Sequence, residues 1–193
     1  MSVLKPTPAE IIHFWFDEAG PKKWYAASPA FDARMRRRFA RVVEVHARQM
    51  RAGDHPWLGN PDSAFALVLL FDQFPRNIWR GSGRAFSYDV MARNVSLDMI
   101  DRGFDWAIDE SRRDFVYMPF MHGEHIEFQN LCVDLARERL HGEGTLTHAI
   151  KHRAVIERFG RFPYRNEALG RNSTAEEIEY LETGGYAPGR KKS

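Results

Sequence analysis

Three short polar segments hold most of the side chains in this chain that could bind an anion or move a proton. The first, residues 72–84, contains three arginines spaced by four, in a stretch that also holds a proline and two glycines. Guanidinium groups and free backbone N–H groups together bind carboxylates and phosphates. In the structural alternative, these arginines pair with carboxylates such as Asp72 and Asp89 and hold the loop. The predicted ligand contacts of this segment are Gln73, Arg76, Asn77, Arg80 and Arg84.

The second segment, residues 121–129, contains His122, Glu124 and His125. Histidine changes charge near neutral pH, so His122 is a candidate acid, with Glu124 or Asp72 as a base. The structural alternative for Glu124 is a favourable position near a helix N-terminus. The spacing is not His-Glu-x-x-His, the arrangement of two metal-ligating histidines on one helix face. We therefore predict neither a metal site nor a cofactor.

The third segment, residues 158–171, alternates arginine with aromatic residues. Such alternation is typical of stacking sites for a ligand, although arginines also stack on core aromatics for structural reasons. Its Arg165-Asn166 pair repeats the order of Arg76-Asn77, which suggests two sides of one clamp. The predicted ligand contacts here are Arg161, Arg165 and Asn166.

A weak internal repeat relates the three segments to one another. Pro75, Pro119 and Pro163 are separated by 44 and 44 residues, and each follows a large apolar residue. A period of this size is typical of stacked helical hairpins. Because each hairpin returns the chain to the same end, we expect the three segments to lie along one edge of the stack.

The residues around these three segments are predicted to form mostly helices. Threonine or serine followed by proline opens two helices, at Thr7 and Ser28, and Gly53 ends the second. A third helix starts at residues 62–63 and includes the apolar run 64–71, while we expect Pro75 to end it. Strand formers are scarce, so the sequence predicts an all-α fold. Further helices are predicted over Tyr88–Arg102, Asp109–Tyr117, Glu124–Leu140, Thr145–Phe159 and Thr174–Glu182.

Composition narrows the class of protein. The 193 residues carry 28 basic and 26 acidic side chains, a balance that argues against a nucleic-acid partner. The single cysteine, Cys132, is expected in the core and fits a reducing, cytoplasmic location. No apolar run approaches the length that spans a bilayer, so no membrane partner is expected. We predict one domain over residues 1–193, ordered from about 7 to 183, with a flexible tail at 184–193.

The chain contains a set of distinctive motifs: Phe14-Trp15-Phe16, Lys23-Trp24, residues 72–77, Tyr117-Met118-Pro119, Met121-His122, residues 158–163 and Arg165-Asn166. In this order and spacing, they resemble a family of uncharacterised bacterial proteins, domain-of-unknown-function family 924. The similarity runs from the first helix to Thr174 and implies an all-helical, tetratricopeptide-like superhelix of stacked hairpins, with no established activity. This chain has Gly123 where the family usually has serine, and Tyr164 where it usually has histidine.

These observations support three hypotheses about function. The first is a helical-repeat binding protein whose arginine-lined groove holds an anionic small molecule, or an acidic or C-terminal peptide. The second is a hydrolase for an anionic substrate that uses His122, Glu124 and Asp72, and it predicts a deep pocket containing these groups. The third is a scaffold or homo-oligomer, in which the arginines pair within the protein.

Overall fold

The computed structural model describes residues 6–24, 28–53 and 55–188, and within these ranges every regular element is helical. The predicted all-α fold is confirmed. The α-helices are α1 (Pro8–His13), α2 (Pro21–Trp24), α3 (Pro29–Arg51), α4 (Pro61–Val68), α5 (Phe74–Ile78), α6 (Asp89–Asp101), α7 (Glu110–Met121), α8 (Ile126–Arg139), α9 (Glu143–Phe159), α10 (Asn166–Leu169) and α11 (Ala175–Glu182).

The helices begin where side-chain oxygens replace the missing backbone acceptors. Thr7 Oγ1 accepts the Glu10 N–H at 3.3 Å, and the Glu10 carboxylate accepts the Thr7 N–H at 2.7 Å. Ser28 accepts the N–H of Phe31 at the start of α3, and Asn60 does the same for Asp62 in α4. Each of these caps precedes a proline in the first turn, where its missing N–H removes no hydrogen bond.

Pro75 does not end the third predicted helix. From α4 the chain continues through a π-helical turn (Leu69–Gln73) into α5, which contains Pro75. The Phe74 N–H donates to Leu69 O, five residues back, so the helix widens just before the proline. Because Pro75 has no N–H and its ring crowds the preceding turn, the wider turn lets the chain stay helical. The prediction that the helix stops here was therefore wrong.

Pro119 likewise lies inside a helix, and the predicted end of that helix at Tyr117 was wrong. The residues after Pro119 still find acceptors, since the His122 N–H donates to Met118 O at 3.0 Å. Pro163, in contrast, begins a short 3-10 turn (Pro163–Arg165). The three equally spaced prolines therefore do not occupy equivalent places in their helices.

One main hydrophobic core joins helices from both halves of the chain. Successive helices from α6 to α9 pack on one another, while α1 packs on α4 and α3 on α5. The run 64–71 is buried on every side, and Trp15, Phe39 and Phe74 fill the space next to it. The tight packing of these rings holds the start of α5 against α3.

A smaller apolar cluster holds the C-terminal part of the described chain. Val155, Ile156 and Phe162 form its buried centre. Tyr186, which we expected in a flexible tail, packs against His152 with ring centroids 5.0 Å apart, and its N–H donates to the Tyr180 hydroxyl. The remainder of the predicted tail, residues 189–193, lies outside the described residues.

A span of a bilayer would need a longer and more apolar helix than any found in the part of the chain that the structure describes.

Candidate functional site

Asp72 is the centre of a buried polar cluster. It lies in the π-helical turn before Pro75, where the widened helix places it at 0 % exposure. Gln73 Nε2 donates to its Oδ2 at 2.5 Å, and Arg76 Nη2 donates to its Oδ1 at 3.1 Å. Burial raises the pKa of Asp72, but the positive charge of Arg76 and the hydrogen bonds from Arg76 and His122 lower it further, so the carboxyl is ionised at neutral pH.

His122 reaches Asp72 from the C-terminal end of α7. Its Nδ1 lies 2.7 Å from Asp72 Oδ1. An ionised carboxylate only accepts hydrogen bonds, so Nδ1 must carry the proton in this contact. Burial and the charge of Arg76 lower the pKa of His122 more than Asp72 raises it. At neutral pH the ring is therefore neutral, with its lone pair on Nε2.

Arg76 and Arg165 connect the first and third polar segments through Asp89. Arg76 Nη2 donates to Asp89 Oδ1 at 3.0 Å, and Arg165 Nη1 lies 3.5 Å from Asp89 Oδ2. Arg165 Nη1 also donates to the backbone oxygen of His122 at 3.1 Å. Each of the three predicted segments therefore contributes at least one side chain to this cluster.

Arg165 is poorly satisfied by protein groups despite its burial. Its side chain is 4 % exposed, and its Nε has no hydrogen-bond partner among the described residues. The guanidinium lies 4.5 Å from the ring centroids of both Phe86 and Phe162, which hold it between their faces. Its contact with Asp89 is longer than a strong charge-assisted hydrogen bond.

Sequence reasoning missed Arg93, which lies on α6 one turn after Asp89. The residue is 9 % exposed and makes no hydrogen bond or ion pair with any residue in the described ranges. Its guanidinium lies 5.0 Å from the ring centroid of Phe128. Burial lowers the pKa of Arg93, and the positive charge of Arg165 lowers it too, against the raising effect of Asp89 and Asp72. The spacing of four from Asp89 was the one sequence signal that placed Arg93 on the same helix face.

His152 on α9 lies beside His122, with ring centroids 6.1 Å apart. Its Nδ1 contacts the backbone oxygen of His148 at 2.9 Å, while its buried Nε2 has no hydrogen-bond partner among the described residues. Burial is the largest cause that lowers the pKa of His152, to about 3. This ring is therefore neutral at all physiological pH values.

The cluster carries an excess of one positive charge, since it contains three guanidinium groups and two carboxylates and both histidines are neutral. Solvent reaches it through His122 and Arg76, whose side chains are 15 % and 20 % exposed. Two surface clefts, of about 570 and 520 Å³, lie elsewhere; the first is near Thr7 and Arg112, and the second runs from Glu124 to Gly160. Neither cleft contains His122 or Asp72, so neither is the deep pocket that the enzyme hypothesis predicts.

Arg80 and Arg84 do not point into this cluster. Arg80 forms a bidentate pair with Asp32 on α3 and donates to the Asn77 side chain. Arg84 pairs with Glu44, also on α3. These ion pairs fasten the segment after α5 to α3, as the structural alternative for these arginines predicts.

Arg161 and Asn166 form a second group centred on Glu177. Both Nε and Nη2 of Arg161 donate to the Glu177 carboxylate, at 2.6 and 2.8 Å, and Asn166 Nδ2 donates to it at 3.1 Å. The hydrogen bond from Arg161 lowers the pKa of Glu177 to about 2. The two sides of the predicted clamp, Asn77 and Asn166, therefore hydrogen-bond to different protein partners.

Glu124 makes no contact with His122 and instead forms a third group of hydrogen bonds. Its carboxylate accepts two hydrogen bonds from Arg171, at 2.7 and 3.0 Å, and the N–H of Phe162 at 2.8 Å. It therefore joins the start of α8 to the segment after α9. Of the three predicted catalytic side chains, the structure brings only Asp72 and His122 together.

Potential metal ligands do not converge in the described ranges, because no three or more His, Cys, Asp or Glu side chains there are placed to hold one ion. The one cysteine, Cys132, is fully buried and donates to Tyr117 O. Burial raises its pKa to about 12, so the thiol is not a nucleophile.

The fold and the site define a class: an all-helical protein with a histidine held by a buried aspartate inside an arginine-rich cluster. Residues 11–185 match the family described as bacterial proteins of unknown function, DUF924, and the chain belongs to this family. The resemblance inferred from the motifs is thereby confirmed.

A solved structure of a protein of unknown function from Agrobacterium tumefaciens is similar to this chain. The two are 43 % identical, with a TM-score of 0.83, and the similarity covers 92 % of this chain and 97 % of the other. No curated protein matches this chain.

Proposed function

We propose that this protein binds a small anionic molecule at Arg93 and Arg165, beside His122 and Arg76. Arg93 is the observation that carries this proposal, since it is a residue with 9 % exposure whose guanidinium has no carboxylate partner among the described residues. Burying an unpaired cation is unfavourable by several kcal/mol, and a bound anion would relieve this penalty. The unpartnered Nε of Arg165 offers the same ligand a second donor.

The charge of the cluster indicates the kind of ligand. Three guanidinium groups face two carboxylates, so one negative charge makes the cluster neutral. A carboxylate can accept from two guanidinium groups at once. Because even the two most exposed side chains of the cluster, His122 and Arg76, are only 15 % and 20 % exposed, a small carboxylate fits better than a long peptide. An acidic or C-terminal peptide would have to present its terminal carboxylate alone.

The proposal includes a tetratricopeptide-like fold for the second half of the chain and a cytoplasmic location for the protein. The successive packing of α6 to α9 supports a tetratricopeptide-like stack of hairpins for the second half of the chain. The single cysteine supports a cytoplasmic location.

The scaffold or homo-oligomer hypothesis is favoured by the ion pairs of Arg80, Arg84 and Arg161, which leave those three arginines without a need for a ligand.

Thermal unfolding in the presence of simple anions tests the proposal. The probes are acetate, succinate and inorganic phosphate, each compared with chloride at equal ionic strength. A ligand present at 100 times its Kd stabilises by about 2.7 kcal/mol, which raises the Tm of a chain of this size by about 5–10 °C. We expect the parent protein to show such a rise with at least one carboxylate.

The matched variants are Arg93→Met and Arg112→Met. Each removes one guanidinium that lies over a phenylalanine ring, at 5.0 Å in the first case and 4.7 Å in the second, so both change the net charge equally. Arg93→Met should abolish the carboxylate-dependent rise, while Arg112→Met should keep it. An equal rise in both variants, or none in the folded parent, would refute the proposed site and favour a scaffold.

A further inference from the structure

We propose that the same site hydrolyses esters of its anionic ligand, with His122 as the general base that deprotonates the attacking water and Asp72 as the positioning residue. This inference rests on the proposed binding of an anion at Arg93 and Arg165. The proposed reaction takes place at the side of the cluster that solvent reaches, where His122 and Arg76 are partly exposed.

The contact between His122 and Asp72 fixes which nitrogen can act. Asp72 is fully buried and accepts hydrogen bonds from Gln73, Arg76 and His122, so its position is set from three sides. Its contact with Nδ1 holds the ring in one orientation, with the lone pair of Nε2 directed away from Asp72. Nε2 makes no hydrogen bond with any residue in the described ranges, and the 15 % exposure of the side chain lets water approach it.

The surroundings of His122 keep it unprotonated, and therefore able to act as a base, at neutral pH. Burial and Arg76 lower the pKa of His122, so the ring is unprotonated before it meets water. Proton transfer to a positioned histidine of this kind contributes about 10²–10⁴-fold to a rate. Asp72 in turn stabilises the imidazolium that forms.

Water is the nucleophile that the site favours. No serine, threonine or cysteine side chain in the described ranges hydrogen-bonds to His122. Cys132, the one cysteine, is buried and its thiol keeps its proton. A covalent acyl-enzyme intermediate therefore has no candidate residue in this cluster.

The reaction balances without any further reagent. His122 Nε2 takes a proton from water while the water oxygen forms a bond to the ester carbonyl carbon. The oxyanion that develops lies in the positive field of Arg76, whose side chain is 20 % exposed and whose Nε has no partner among the described residues. The bond to the alkoxide then breaks, and Nε2 returns the proton to the leaving oxygen. The products are a carboxylic acid and an alcohol.

The arrangement also indicates the substrate class. The anion-binding arginines are the buried members of the cluster, and the base is at its exposed side. A substrate therefore carries a carboxylate at one end and an ester carbonyl toward the other, as a half-ester of a short dicarboxylic acid does.

Two chain-matched pairs of esters test the inference. The charged esters are the mono-4-nitrophenyl esters of glutaric and adipic acid, and the neutral ones are 4-nitrophenyl pentanoate and hexanoate. We expect kcat/KM to be about tenfold higher for at least one charged ester than for its neutral match, which corresponds to about 1.4 kcal/mol. Arg93→Met should remove that preference.

His122→Asn is the decisive variant, because the Asn amide can still donate to Asp72 while no base replaces Nε2. It should lower kcat/KM at least 100-fold and keep the thermal stabilisation by carboxylate. His125→Asn, at the exposed histidine three residues later, should leave kcat/KM within twofold. In Asp72→Asn, the loss of the negative charge should move the acid limb of the pH profile to lower pH, which a purely structural defect would not do.

The outcomes separate this inference from the proposed function. If carboxylates stabilise the protein but no ester is hydrolysed above the buffer rate, the hydrolase inference is wrong and the binding site stands. If His122→Asn hydrolyses as fast as the parent, His122 is not the base. If neither stabilisation nor hydrolysis is observed with folded protein, both proposals fail.

Discussion

Asp114 should make the protein less stable as the pH rises from about 4 to 6. Its Oδ2 accepts a hydrogen bond from Thr145 at 3.3 Å, while its Oδ1 is buried without a partner among the described residues. Burial raises its pKa from the ordinary 3.8 to about 6. Each pKa unit corresponds to about 1.36 kcal/mol, so ionised Asp114 costs the folded state about 3 kcal/mol at neutral pH.

The direction of this change in stability follows from which state, folded or unfolded, keeps the proton on Asp114. Between these two pKa values the folded state keeps a proton that the unfolded chain has released, so the free energy of unfolding falls as pH rises and is level above about pH 7. Asp114→Asn stays neutral throughout and keeps an oxygen for the Thr145 hydroxyl. We therefore expect the variant to be more stable than the parent by about 2–3 kcal/mol at pH 7.5 and about equally stable at pH 4.

Urea unfolding at these two pH values, followed by circular dichroism, measures the difference. Asp134→Asn removes an equally charged but exposed side chain and should change stability by less than about 0.5 kcal/mol at either pH. If Asp114→Asn differed from the parent by the same amount at both pH values, the carboxyl would not titrate in this window and the argument from its burial would be refuted.

Other predictions concern contacts outside the proposed site. Tyr117→Phe removes the hydroxyl that donates to the fully buried Asp105 at 2.7 Å, so urea unfolding should show a loss of about 1–3 kcal/mol, and no loss would contradict this. Burial raises the pKa of Glu124, but its hydrogen bond with Arg171 lowers it further, so the parent loses this stabilisation as pH falls below the ordinary 4.5. Glu124→Gln should flatten that acid slope, and an unchanged slope would disprove the assignment. Cys132 should not react with a thiol reagent in the native protein and should react once it is unfolded; rapid native labelling would show that it is not buried.

Most of the helices could be predicted because their signals are local. The caps at Thr7 and Ser28 and the apolar run 64–71 depend on neighbouring residues, and these helices were predicted correctly. The errors occurred at Pro75 and Pro119, where the rule that proline ends a helix depends on the surroundings. The widened π-helical turn before Pro75 lets the chain stay helical there. After Pro119 the helix continues because the His122 N–H donates to Met118 O.

The site was predictable only in part. Each of the three segments contributes a side chain to the cluster, but their spacing in the sequence could not indicate which carboxylate each arginine meets. Arg80 and Asp32 are 48 residues apart, and Arg165 and Asp89 are 76 apart, so only the folded packing selects these partners. Arg93 was missed because its spacing of four from Asp89 indicates an ordinary ion pair on one helix, whereas in the fold Asp89 pairs with Arg76 and Arg165.

The protonation state of His122 tests most directly whether this residue can act as a base. Nitrogen-15 NMR of uniformly labelled protein, with the signals assigned by comparison with His122→Asn, reports which ring nitrogen carries hydrogen. We predict a neutral ring at neutral pH, protonated on Nδ1 through its contact with Asp72 and without a proton on Nε2. An imidazolium at neutral pH, or a ring protonated on Nε2 alone, would contradict this prediction.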